Sequence, residues 1–98
     1  MKKKVKVLQL PNHMFRDSYI MTTEQVKESL GEYDLTAIFY GEGDDEDLCE
    51  LAFERSNSPF NPELRGMLFG QNRSLSVGDV VCVNDRKYHC SRFGWTQL

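Results

Sequence analysis

The stretch SVGDVVCVNDRKYHC, from Ser76 to Cys90, decides the fold. Gly78 makes a turn, Asp79 can bond the backbone just before it, and a run of strand formers follows from Val80 to Val83. Asn84-Asp85 is the polar pair at which a tight turn sends the chain back as a second strand, so the segment reads as a hairpin. A two-residue loop sets Val83 opposite Arg86 and Val81 opposite Tyr88. Alternation along the pleat then puts Val81, Val83, Tyr88 and Cys90 on one face, and Val80, Cys82, Lys87 and His89 on the other. Beyond the hairpin, Phe93 to Leu98 can add a short last strand, with Gly94 marking a bulge or a close backbone approach.

Upstream, Lys4 to Leu10 begins with polar and apolar residues in strict alternation, the period of a strand with one buried face, and Pro11 stops it. Asn12 to Met21 shows no clean period and reads as an ordered loop or an irregular turn. Thr22 with Gln25 fits a capping box and Met21 with Val26 a hydrophobic staple, so a short helix begins at about residue 23. Gly31 stands where a left-handed helix end needs a residue without a Cβ. Leu35 to Tyr40 is continuously apolar, which predicts a central strand buried on both faces. Asp44 can cap a second helix whose first turn holds Asp45, Glu46 and Asp47, and whose stripe is Leu48, Leu51, Ala52 and Arg55, widened by Cys49 and Phe53. Ser56 to Pro59 ends it, and a long irregular loop runs on to Arg73. The whole predicts one α+β domain over residues 1–98, of order β-α-β-α-β-β with room for the last short strand, its helices on one face of a mixed sheet.

Composition narrows the classes. The 98 residues are 40% hydrophobic and 28% charged, the profile of a folded chain with a single modest core. A net charge of −3 provides no general attraction to phosphate backbones or anionic lipid, so nucleic-acid binding would need a local patch. Cys49, Cys82 and Cys90 form no CxxC pair and lie in apolar stretches, as buried thiols in a reducing cytosol do. The basic start Lys2-Lys3-Lys4 is followed by an apolar run that Lys6, Gln9 and Pro11 break, unlike a secretion signal, and no stretch has the length of a membrane span. A cytoplasmic protein is expected.

Chemistry-bearing residues are present without the spacing that chemistry requires. The acids Glu42, Asp44, Asp45, Glu46, Asp47 and Glu50 lack the ligand order of a calcium loop and read as a solvated helix start. His13 and His89 have no second metal ligand at helical or loop spacing, and His89 and Cys90 point to opposite faces. Ser76, Asp79 and His89 make a hydrolytic trio only on paper, with no nucleophile elbow, and the glycines form no phosphate cradle. No catalysis, metal or cofactor is expected. Between Arg86 and Trp95, basic and aromatic residues interleave; they read first as a hairpin whose aromatics pack inward and second as a stacking surface for nucleic acid.

Arg65-Gly66, then RSLSVGDVVCV from Arg73 to Val83 and YHCSRFGW from Tyr88 to Trp95, resemble the YodL-like domain of Firmicutes mobile elements. The resemblance covers residues 33–96 and is specific in the last third; the segment Met67 to Gln71 departs from the usual pattern as an insertion. It implies a strand-helix-strand-helix lead into a closing hairpin, and an accessory role in conjugative elements or phages, in transfer or in protection from host defence. It brings no catalytic residue. The expected function is a non-catalytic binding module that contacts a protein partner through the 59–73 loop and the hairpin. Arg65, Arg73, Arg86, Lys87, Arg92 and Trp95 are its expected contacts, with Met67, Leu68 and Phe69 as apolar anchors. The alternative is a nucleic-acid binder using Arg65, Arg73, Arg86, Lys87 and Arg92 with the terminal aromatics.

Overall fold

The computed structural model describes residues 2–11, 20–57, 75–92 and 94–98. Its elements are β1 (Lys3–Gln9), α1 (Thr23–Glu28), a 3-10 turn (Leu30–Glu32), β2 (Asp34–Gly41), α2 (Asp45–Asn57), β3 (Val80–Val83), β4 (Arg86–Ser91) and β5 (Gly94–Gln97). The five strands form one sheet in the order β2-β1-β3-β4-β5. This is the α+β domain that the sequence predicts, down to the short last strand.

The hairpin has the expected register, Val83 opposite Arg86 and Val81 opposite Tyr88. Asn84 takes a left-handed φ of 54° in its turn. The same residue clamps the turn to β1, its amide bonding the Lys4 carbonyl at 2.8 Å and its side-chain oxygen accepting from the Lys4 amide at 3.0 Å. At the entrance to β3, Gly78 has a φ of 99°, and the Asp79 carboxylate accepts from the Ser76 amide at 2.8 Å, closing the loop as its sequence suggests. The capping box at Thr22 is complete: the Gln25 amide donates to Thr22 Oγ1 and the Thr22 amide to Gln25 Oε1.

Four expectations are corrected. The sheet is not mixed, because every pairing is antiparallel. The six residues of α1 extend about 9 Å and cannot return the chain along a strand of about 23 Å, as a parallel neighbour requires. The connection through α2 does make a crossover, between β2 and β3, but β1 lies between those two strands. Second, the helices take opposite faces. Val5, Val7, Phe39, Val81 and Val83 pack with Leu48, Cys49 and Ala52 of α2, whereas Val80, Cys82 and Leu10 pack with Val26 of α1 and with Tyr33. All four residues of β3 are buried, so this strand needs cover on both sides.

Third, β2 is not central. It is an edge strand, and of its apolar run Ala37 and Phe39 are buried while Leu35, Ile38 and Tyr40 are 52%, 42% and 59% exposed. A bulge at Thr36 shifts the register between Ala37, opposite Val7, and Leu35, opposite Leu8. That extra residue puts Leu35 on the same face as Ile38 and Tyr40. Gly31 likewise lies within the 3-10 turn rather than in a left-handed helix end.

Candidate functional site

Of the residues singled out by the sequence, Arg65, Met67, Leu68, Phe69 and Arg73, with the 59–73 loop, lie outside the described residues. Arg86 is engaged within the domain: its Nη2 donates to Asp45 Oδ1 at 2.8 Å and its Nε to Oδ2. The Tyr88 hydroxyl donates to the same carboxylate, and Lys3 Nζ reaches it at 3.1 Å. The Arg86 hydrogen bonds hold the Asp45 carboxyl well below the usual carboxylate range, with Tyr88 and Lys3 adding to the effect against the cost of burial. Trp95 is half-buried on the α2 side, and its Nε1 donates to Glu50 Oε1 at 2.9 Å. These contacts pin the first turns of α2 to the hairpin. Lys87 is exposed on the opposite face from Arg86, and Arg92 is exposed at the β4–β5 turn. Arg86, Lys87 and Arg92 therefore do not share one patch.

Two other features stand out. On the α1 side of the sheet, beyond the reach of α1, register rows align Tyr40 with Lys4, and Ile38 with Lys6, Cys82 and Lys87. Both lysine charges act on the Cys82 thiol, whose pKa burial raises. The result is an apolar strip, Leu35, Ile38 and Tyr40, bordered by Lys4 and Lys6 with Lys87 further along the row, on a chain of net charge −3. The second edge of β2 has no strand beside it among the described residues. Sequence reasoning missed this surface because six consecutive apolar or strand-forming residues hide an alternation that a bulge interrupts. The available signal was at Lys4 and Lys6, whose alternation requires one wet face on the strand beside β2.

The second feature is a cleft of about 380 Å³ between the start of α1 and the β4–β5 end of the sheet, lined by Met21, Thr23, Val77, His89 and Arg92 among others. His89 is 3% exposed, its Nδ1 lies 3.1 Å from Thr23 Oγ1, and burial lowers its pKa, so it is a neutral imidazole. Its Nε2, itself buried, has no hydrogen-bond partner among the described residues. Elsewhere, burial pushes the Cys49 and Cys90 thiols up to about 12, which leaves them poor nucleophiles. Among the described residues no cluster of His, Cys, Asp and Glu could hold a metal ion, and no helix is long and apolar enough to cross a membrane. No family model, no curated protein and no solved structure matches this chain.

Proposed function

We propose that the chain is a non-catalytic binding module whose partner is a protein, docked through an acidic, apolar-faced segment on the open face of β2 and β1. The carrying observation is the strip Leu35, Ile38 and Tyr40, exposed on an edge strand and bordered by Lys4 and Lys6. Large apolar side chains grouped on one face and rimmed by charge mark interaction surfaces. Covering the exposed half of each contributes about 1 kcal/mol, and the lysines favour carboxylates in the partner. The edge of β2 that has no strand beside it among the described residues adds backbone donors and acceptors for an extended segment.

The likeness of the last third to the YodL-like domain supports placing this module in a bacterial mobile element, as an accessory to transfer or to protection from host defence. A cytoplasmic setting is supported by the free, buried state of Cys49, Cys82 and Cys90. Nucleic acid is the second reading, favoured by the position of Tyr40 among Lys4 and Lys6. The aliphatic Leu35 and Ile38 suit a protein surface better than base stacking.

The test is affinity capture from recipient-cell cytosol with wild type, an Ile38→Asp/Tyr40→Asp variant and a Met67→Asp/Phe69→Asp variant. A protein retained by wild type, released by salt and lost in the Ile38/Tyr40 variant supports the reading. Loss in the Met67/Phe69 variant alone moves the contact to the 59–73 loop. Salt-sensitive binding of a labelled oligonucleotide through Tyr40, with no protein retained, overturns the reading in favour of nucleic acid.

A further inference from the structure

The imidazole of His89 has no role in the docking face, and its surroundings suit it only while it is neutral. The ring is buried, and its Nδ1 meets Thr23 Oγ1 of α1 at 3.1 Å. That contact is the one hydrogen bond from α1 to the sheet among the described residues. Protonation makes both ring nitrogens donors. The Thr23 hydroxyl can turn to accept from Nδ1, but Nε2 then belongs to a buried cation and has no acceptor among the described residues, which costs far more than an unpaired neutral group. No nearby carboxylate offsets that cost. Val80 of β3 and Thr96 of β5 stand opposite the ring, and Cys82 and Lys87 share its face. Arg92 lines the cleft beside it, and Glu24 and Lys27 of α1 are exposed. The charge of Asp79, at the entrance to β3, acts on Cys90 on the other face of the sheet. Burial alone is what lowers the pKa of His89.

The element lying against the ring is lightly held. The six residues of α1 are well short of the roughly 12–15 at which a helix persists by itself in water, so packing keeps it folded, and Val26 is its one buried residue. We infer that His89 is an acid-sensitive latch for α1: when the ring takes up a proton, the helix leaves the sheet and water reaches the imidazolium. Lifting α1 is the smallest movement that uncovers the ring. The core on the other face, built from Val5, Val7, Phe39 and Leu48 among others, contains no residue of α1 and stays intact. The face that opens holds Val80 and Cys82, on the same side of the sheet as Leu35, Ile38 and Tyr40, so acid enlarges the apolar surface there. Nothing in this depends on a partner at that strip, and either can fail alone.

Ring-nitrogen and backbone carbon-13 spectra recorded from about pH 8 down to about pH 4 follow the ring and the helix together. The chain has two histidines, and a His13→Asn variant assigns their signals. The expected result is that, below pH 6.5, the shifts of Thr23–Glu28 move to random-coil values in step with protonation of His89, while those of β1 and β3 stay native. The ratio of released to docked helix grows by up to about tenfold per pH unit. His89→Gln cannot take up the proton and keeps α1 docked over the whole range, with thermal melting at neutral pH to verify that it is folded. Val26→Ala loosens the helix without touching the ring, so the ring and helix midpoints both move up toward 6.5. Three results overturn the proposal: the ring titrates while α1 keeps its helical shifts, α1 and the sheet lose theirs together, or neither ring nor helix responds down to about pH 4. A Val26→Ala midpoint equal to that of wild type does so as well.

Discussion

Asp45 receives Arg86, Tyr88 and Lys3, from β4 and β1, on one carboxylate at the first residue of α2. Replacing it with alanine should lower stability by about 1 kcal/mol, a modest figure because the partners are solvent-accessible. Urea unfolding measures this, and the difference should shrink at high salt. The carboxyl is held below its ordinary value of 3.8, so its contribution is complete above that pH and is lost only in stronger acid. His89 acts in a different window. Burial lowers its pKa from 6.5, so on acidification the unfolded chain takes up this proton before the folded one does. Stability owed to the neutral ring is therefore complete above about pH 6.5 and falls below it, by at most about 1.4 kcal/mol per pH unit. Urea unfolding at a series of pH values checks this, and His89→Gln should flatten the slope. Neither residue's role was legible in the sequence: Asp45 reads as one solvated acid among several, and a histidine beside Cys90 shows no partner until Thr23, far away in the chain, is brought to it.

At the scale of elements, local rules succeeded where few long-range choices remained. A two-residue turn fixes the hairpin register, and a two-periodic strand fixes which of its residues share a face. The capping box was readable because it closes within four residues. The misplacement of β2 has the opposite cause: Leu35 to Tyr40 has the composition of a doubly buried strand, but Val80 to Val83 takes that place between the two helices. The glycines divide in the same way. A Cβ on Gly41 would come within 2.8 Å of Leu48 Cδ2, and Leu48 is 1% exposed in the core. Gly41→Ala should therefore cost about 1–2 kcal/mol through overpacking. Gly31 has open space around its Cβ position and no positive φ, so Gly31→Ala should be neutral or stabilising by up to about 0.5 kcal/mol. Thermal melting of the two variants side by side tests the contrast.

At the scale of the whole molecule, and among its described residues, the sheet is covered by α2 on one side and only in part by α1 and Tyr33 on the other. The uncovered part carries Lys4 and Lys6 beside Leu35, Ile38 and Tyr40, while the first turn of α2, packed over the other face, is acidic. A chain of net charge −3 thus presents one basic and apolar region. Composition could not reveal this, since it averages over faces, and the sequence motifs drew attention to the hairpin and to residues 59–73. If a protein partner sits on the face and edge of β2, hydrogen exchange of the chain, alone and bound to the protein captured from recipient cytosol, will register it. The amides of Asp34–Gly41 are expected to exchange more slowly in the complex while those of β4 and β5 are unchanged; protection confined to β4, β5 or residues 59–73, with β2 unaffected, would rule this docking site out.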